Sequence, residues 1–373
     1  MNNIHSPSTD VFNDEPQVEA AANRLATPRP HGRLVRVGAA VLCCFIAAGC
    51  MRDGGTTDAA PQDNRPNAPQ TAPYYLDTDS DYYRNLGKAL GYTDDPFTRA
   101  NIERLQQTPV AEWLAGTDEQ TYAQLDRILP ASAEAGAVPL LVAYKIPNRD
   151  HLGGESKGGN GSADEYLAWV DTVSDKIGDA PAVLVYEPDA IAAAVQMIND
   201  GDNEGKDERV KMINTALTTF KDNNANLAIY VDVGHSDWLN TDEELAQLTG
   251  LLDEIDPDGD LITGLAFNVS NQMSTEANTA YAEQIKERMG RDFYAIIDVS
   301  MNGAPGTDQI KEWCNPKGEK LGTADDAIFD AQAAVEQAFI KTPGQSDGRC
   351  GTSEEAAGVF DGALLQRQAS KPE

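Results

Sequence analysis

Basic residues are scarce in this chain. Only 29 lysines and arginines face 60 aspartates and glutamates, a formal net charge of -31 over 373 residues. Such an imbalance opposes binding to polyanions, which depends on protein cations releasing counterions, so nucleic acid is excluded as a partner and a neutral substrate is easier to admit. The acids are scattered along the chain, as on a solubilising surface. Histidine is scarcer still, four in all, and only His151 and His235 lie beyond residue 73, too few for a convincing metal cluster. No metal and no cofactor is expected. No repeat of fixed period is visible, and no apolar run reaches the ~20 residues that a membrane-spanning helix needs. What is present suits a soluble globular protein: 41% hydrophobic residues and a mean hydropathy of -0.44. A length of 373 residues fits one large domain plus an appendage.

Cysteine is also sparse, and its five copies fall into two groups, Cys43, Cys44 and Cys50, then Cys314 and Cys350. Arg33 and Arg36 precede an apolar stretch from Val37 to Gly49, about the length of a signal-peptide core. Its end, "IAAGC", resembles the lipobox at which bacterial lipoproteins are cleaved and acylated, here on Cys50, although Ala47 stands where leucine is usual. Ordinary secretion and a retained anchor are the alternatives. The expected organisation is an export signal over 1–50, a flexible linker over 51–73 rich in Pro, Gly, Thr, Asn and Gln, and one catalytic domain over 74–373. The expected location is the outer surface of a bacterium, with the membrane touched only through the lipid. Outside the cytosol, Cys314 and Cys350 are expected to form a disulfide, with two free buried thiols as the alternative.

From Tyr74 onward, strand and helix patterns alternate. Strands are expected at Val138–Ile146, Ala182–Tyr186, Leu227–Val233, Ile262–Val269, Tyr294–Val299 and Val335–Ile340. Helices are expected at Ala163–Ile177, Ala190–Ile198, Val210–Lys221, Asp242–Ile255 and Thr275–Met289, where apolar residues recur at three and four. This alternation predicts an α/β fold, a parallel sheet with helices outside it. Each strand runs out into polar, acidic or aromatic residues: "IPNRD", "YEPD", "VDVGHSDW", "FNVSNQ", "IDVSMNG" and "IKTPGQSDG". In a barrel the carboxyl ends of the strands open on one face, so these bursts would converge there. They bring Asp150, Asp189, Asp232 and Asp347 together with Arg149, Lys341, Tyr144, Trp238 and Trp313. Carboxyls held at unequal proton affinity can divide general acid and base roles, and indole faces stack on sugar rings. The inventory suggests glycoside hydrolysis.

The blocks "YKIPNRD" (Tyr144 to Asp150), "EPDA" (Glu187 to Ala190), "YVDVGHSDWL" (Tyr230 to Leu239), "FNVSN" (Phe267 to Asn271), "DVSMNG" (Asp298 to Gly303), "WCNPKGEKLG" (Trp313 to Gly322) and "KTPGQSDGRC" (Lys341 to Cys350) occur in the order seen in glycoside hydrolase family 6. The resemblance runs from about Tyr74 to Leu365. It implies a distorted TIM-like barrel of parallel strands that cleaves β-1,4-glucosidic bonds with inversion, its site at the carboxyl ends of the strands. Asp189 matches the general acid; its alternative is a plain helix N-cap. Asp150 matches the aspartate that modulates this acid, and Asp347 the proposed base, the rival being a water chain from Ser156 past Asp150. Tyr144 matches the tyrosine that distorts the scissile sugar. Trp313 and Trp238 fit sugar platforms, with core packing as the alternative for each. Asp232, His235, Asn268, Asn271, Lys341 and Gln345 are the expected hydroxyl contacts.

The departures are specific. His151 stands where the family has a cysteine, Met301 and Glu319 replace arginines, and Gln345 replaces a glutamate. The lost arginines leave Lys341 as the obvious cation for Asp347. Gly154-Glu155-Ser156-Lys157-Gly158 satisfies G-x-S-x-G but follows a glycine-rich loop instead of a strand, so a serine nucleophile is not expected. "DTDSD" and "DPDGD" lack the complete calcium loop and read as solvated turns. Cys350 follows Asp347 by three positions, a short connection resembling endo-acting members. The expected protein is a secreted, monomeric, inverting endoglucanase acting on cellulose or a related β-glucan. The competing expectation is a non-catalytic glycan-binding lipoprotein that keeps the cleft.

Overall fold

The computed structural model describes residues 71–149, 157–304, 312–324, 328–330 and 335–372. The export signal, Cys50, most of the linker, Asp150, His151 and Ser156 lie outside the described residues. Thr71–Pro73, placed by composition in the linker, instead form a short strand, β1. In chain order there follow α1 (Asp81–Ala89), α2 (Pro96–Leu105), β2 (Glu112–Leu114), α3 (Asp118–Ala135), β3 (Leu140–Ala143), α4 (Ala163–Ile177), β4 (Ala182–Tyr186), α5 (Ala190–Asp200), α6 (Asn203–Asn223) and β5 (Leu227–Asp232). Then come α7 (Asp242–Ile255), β6 (Gly264–Phe267), α8 (Thr275–Met289), β7 (Tyr294–Asp298), β8 (Ile328–Asp330), β9 (Val335–Ala338) and α9 (Gly362–Ala369). β1 pairs with β8 antiparallel, and the other seven strands form one sheet in the order β2-β3-β4-β5-β6-β7-β9.

Every pairing in that sheet is parallel. Parallel neighbours need crossover connections, and α3, α4, α5 with α6, α7 and α8 supply them in turn. The sheet curls until its edges approach. Val110 forms an isolated parallel bridge with Phe339, the Ala111 N–H donates to the Phe339 carbonyl at 2.9 Å, and the Trp113 Nε1–H donates to the Ile340 carbonyl at 2.8 Å. The result is the parallel α/β sheet that the alternation of elements predicted, curled into the distorted barrel that the family resemblance implied.

Side-chain alternation along each strand divides the core into two layers. Leu141, Leu184, Ile229, Leu265 and Ile297 join the large cluster beneath the helices, whereas Val142, Val183, Val185, Ala228, Tyr230, Ala266, Ile296 and Ala338 fill the barrel interior. Alanine on β5, β6 and β9 leaves room inside for Tyr230 and for Tyr74, whose hydroxyl donates to Glu336 Oε2 at 3.0 Å. Burial on both faces explains why these strands read as continuous apolar runs. Capping boxes start two of the helices, Thr117 with Gln120 on α3 and Thr241 with Glu244 on α7.

Asp79, Asp81, Asp258 and Asp260 are exposed, as solvated turns require, but the first aspartate of each acidic turn is buried. Asp256 is fully buried and accepts the backbone N–H groups of Asp260, Leu261 and Ile262 at 3.0, 3.2 and 3.3 Å, which stitches the chain from α7 into β6. Asp77 is buried with Arg127 Nη1 at 2.5 Å. In each case local pairing overrides the preference of aspartate for water.

Gly264 marks the tightest approach in the sheet. A Cβ there would lie 2.2 Å from the Tyr294 carbonyl oxygen, on the backbone of a central neighbouring strand. Gly264→Ala is therefore expected to lower the free energy of unfolding by about 2 kcal/mol or more, since a packed backbone has no room to yield. Urea denaturation followed by far-ultraviolet circular dichroism checks this; an unchanged midpoint would show that the strands can part.

Candidate active site

Seven non-glycine residues of the described chain have positive φ: Asn148, Glu187, Asp189, Leu239, Asn268, Ser270 and Asn315. All follow the carboxyl ends of sheet strands, in the loops after β3, β4, β5, β6 and β7. Left-handed backbone is costly for such residues and persists only where surroundings enforce it, which marks this rim as the candidate site.

After β3, Tyr144 is nearly buried, with Trp113 packed edge-on at 5.5 Å between ring centroids. The Arg149 guanidinium lies 4.5 Å from the Tyr144 ring centroid and donates to the Tyr144 carbonyl. Beneath them, the fully buried Glu187 carboxylate accepts the N–H groups of Lys145 at 2.9 Å and Ile146 at 3.0 Å. Burial raises the pKa of Glu187, and these two N–H groups oppose the shift. The glycine-rich loop returns hard against this strand end. Asn160 N–H donates to Lys145 O at 2.8 Å, and a Cβ on Gly159 would sit 2.0 Å from Ile146 O.

After β4, Asp189 has φ 69° at the start of α5, yet its side chain makes no capping bond to that helix. The capping alternative therefore fails. Its backbone N–H instead donates to Asp232 Oδ1 at 2.9 Å. Asp232 is buried at the end of β5, and its pKa is pushed up to about 8, chiefly by loss of water and then by the charge of Asp189. Asp232 therefore retains its proton near neutrality. Asp150, the like-charge neighbour expected beside Asp189, lies outside the described residues.

His235 also lies on the β5 loop. Burial pulls its pKa down to about 4, which keeps the ring neutral, and Nδ1 accepts the Asp237 N–H at 3.2 Å. Trp238 stacks at a tilt 5.7 Å from that ring and covers Gly234, where a Cβ would lie 3.0 Å from the indole. It is partly buried against the core, the packing given as the alternative reading of this tryptophan. Trp313 differs, being 46% exposed.

Asn268 is fully buried and braces the rim from below. Its Nδ2 donates to the carbonyls of Asn271 and Asp298 at 3.1 and 2.8 Å, while Oδ1 accepts the Met273 N–H at 3.0 Å. This side chain is spent on the backbone, which departs from the sugar contact expected of it. Asn271 donates to Val269 O at 2.9 Å and is partly exposed.

Across the mouth, Cys314 and Cys350 are disulfide-bonded, with Cα atoms 5.9 Å apart. Beside the bridge, Asn315 and Asp347 form a reciprocal pair: Asn315 N–H donates to Asp347 Oδ2 and Asp347 N–H to Asn315 Oδ1, both at 2.9 Å. Lys341 Nζ meets Asp347 Oδ1 at 2.5 Å, so lysine is the cation for this carboxylate, as the missing arginines implied. Gln345 lies in the same loop. It faces a cleft of about 460 Å³ shared with Trp113, Thr342, Gln124 and Arg127.

The same rim organisation has known relatives. A profile of the glycosyl hydrolases of family 6 matches residues 70–372. The chain belongs to that family. Endoglucanase A of Cellulomonas fimi is 34% identical over 282 residues, covering 75% of this chain and 57% of that protein. Endoglucanase 1 of Streptomyces halstedii is 31% identical over 324 residues, covering 85% and 94%. The structure of the endoglucanase Cel6 from Mycobacterium tuberculosis, in complex with methyl-cellobiosyl-4-deoxy-4-thio-β-D-cellobioside, superposes with a TM-score of 0.66 at 31% identity, covering 80% and 96%. This family-6 chain spans less than two thirds of two of its relatives, the endoglucanases A of Cellulomonas fimi and Thermobispora bispora, at 57% and 60% of their lengths.

Four residues of the family-6 rim escaped the reading of the sequence as individual groups. Trp113 sits in a three-residue strand too short to register by pattern. Glu187, Asp298 and Asn315 fall inside recognised blocks, but nothing in one sequence tells a buried bracket from a surface contact.

The Asp232 shift carries a stability signature. A carboxyl whose folded pKa is raised holds its proton more tightly when folded, so its contribution is full below the unfolded value and is lost as pH rises through about 8. Asp232→Asn keeps an oxygen acceptor and removes the titration. The fall in unfolding free energy between about pH 5 and pH 8 should then shrink by on the order of 2–4 kcal/mol. Urea titrations at both pH values measure it, and an unaltered slope would place the titration elsewhere.

Proposed function

We propose that this chain is an inverting endo-acting β-1,4-glucanase in which Asp189 is the general acid and Asp347 the base. The observation that carries the reading is Asp189 itself, held in left-handed backbone against Asp232 and not used as a helix cap. Asp232 carries the raised pKa, about 8, and so holds a proton beside Asp189 at neutral pH, within reach of a group that must protonate a leaving glycosidic oxygen. Inversion also needs a base on the opposite side of the sugar, with space for a water. Asp347 stands on the β9 loop and Asp189 on the β4 loop, at separated positions around the rim. Lys341 and the Asn315 N–H hold the Asp347 carboxyl from two sides and fix its orientation.

Tyr144, wedged between Trp113 and Arg149, is stiff enough to press a sugar out of its relaxed chair. Trp113, Trp238 and Trp313 offer aromatic faces for neighbouring sugars. Asp150 and Ser156 retain the roles implied by the family blocks, modulation of the acid and placement of the water. Endoglucanase relatives support cellulose or a related β-glucan as substrate and internal cutting as the mode. Export, with Cys50 as the lipid attachment point and the enzyme acting as a monomer at the cell surface, completes the proposal.

Purified protein should release reducing ends from soluble β-glucan. Asp189→Ala should lower kcat by about a thousandfold, the scale of a lost general acid, while leaving oligosaccharide affinity within a few-fold. Full activity in that variant would overturn the assignment. Binding without turnover by the unmutated protein would favour the glycan-binding alternative prompted by Met301, Glu319 and Gln345.

A further inference from the structure

Glu319 is a buried carboxyl that the proposed reaction does not use, yet it touches the framework that holds Asp347. It is 1% exposed. Its Oε1 accepts from Gln368 Nε2 at 2.9 Å, and Oε2 is buried without a hydrogen-bond partner among the described residues. Gln368, on α9, is equally buried and is shared. Its Nε2 lies 3.6 Å from Met301 Sδ, and its Oε1 accepts the Gly344 N–H at 2.6 Å. Gly344 lies between Lys341 and Asp347 in sequence, with φ 76°, and a Cβ on it would be 2.8 Å from Leu365 of the same helix. The loop carrying the cation and the carboxylate is therefore seated on Gln368, and Gln368 on Glu319. Met301 and Glu319, the two positions where family arginines are absent, meet on this one side chain.

The charged groups that face Glu319 are Asp347 and Lys341 on the loop and Arg367 on α9. Adjacent Lys320 is occupied elsewhere, its Nζ donating to Arg367 O at 2.8 Å and Ser370 Oγ at 2.9 Å. Burial first, and then the charge of Asp347, push the Glu319 carboxyl up to about 7, against the pull of Gln368, Lys341 and Arg367. Its charge thus changes close to neutrality.

We propose that Glu319 is a positioning residue that sets the alkaline limit of catalysis: neutral, it leaves the Lys341 ammonium to Asp347; ionised, it competes for that ammonium and loosens the base. The proposal rests on the reading of Asp347 as base. Ionisation also leaves a carboxylate with one donor in a dry site, an unfavourable arrangement that strains the seat of the loop.

E319Q keeps an acceptor for Gln368 and cannot ionise. The alkaline limb of its kcat profile should move up by about one pH unit, giving about tenfold higher kcat than the unmutated enzyme near pH 8. A merely structural role would lower kcat at every pH, and an unmoved limb in an active enzyme overturns the proposal. A second measurement does not require E319Q to fold: the ¹³C shift of the Glu319 carboxyl, assigned through its own backbone, followed with pH in the unmutated protein and in D347N. Its midpoint should lie near neutrality and fall when the Asp347 charge is removed; a midpoint indifferent to D347N overturns the coupling. Absence of β-glucan hydrolysis by the unmutated protein would overturn the catalytic reading instead, and the ¹³C coupling separates the two.

Discussion

The rim depends on one buried carboxylate. Asp298, at the end of β7, is fully buried and accepts five hydrogen bonds: from the backbone of Ser270 at 2.9 Å, the backbone and hydroxyl of Ser300 at 2.9 and 2.5 Å, Ile340 at 3.1 Å and Lys341 at 2.9 Å. Burial raises its pKa, and these donors act against that rise. One side chain thereby fastens the loops after β6, β7 and β9 to each other. Lys341 is held by its backbone on Asp298 and by its ammonium on Asp347, so the proposed base inherits its position from a group that no sugar touches. Glu187 does the same on the other side, anchoring Lys145 and Ile146 beside Tyr144. The rim thus rests on carboxylates turned inward on backbone N–H groups, a way of holding irregular chain where no strand or helix ladder is available.

Much of this was legible beforehand, and the reason differs by element. β4, Ala182–Tyr186, was readable to the residue because both faces are buried and the apolar run stops where the sheet stops. The long helices were readable because one face must pack on the sheet, although α6 begins at Asn203, well before its apolar pattern does. β2 was missed because three residues carry no period, and α3 because a proline at 130 interrupts it and its opening turn is polar. Pro130 is tolerated inside that helix, where rule-based reading ends one.

Within the site, residue types and spacing placed the candidate groups beyond strand ends, which is a place on the rim. They did not identify which groups face outward. Asn268 looked like a ligand-binding amide and is a brace, whereas Asp232 looked like a sugar contact and accepts the backbone N–H of Asp189. Polar residues beyond a strand end are equally suited to holding the loop and to holding the ligand. Only the three-dimensional count of donors and acceptors tells the two uses apart.

The seam between β2 and β9 has a consequence of its own. Six of the seven strands' worth of ladder hold the sheet continuously, but at the seam closure relies on the Val110 bridge and two hydrogen bonds, from Ala111 and Trp113. The loops bearing Asp189 and Asp347 stand on opposite sides of that seam, since passage from β9 to β4 by the shorter way crosses it. The two proposed catalytic carboxyls thus flank the thinnest join of the barrel, where the indole N–H of Trp113 on the carbonyl of Ile340 is one of the few bonds that bring β2 to β9.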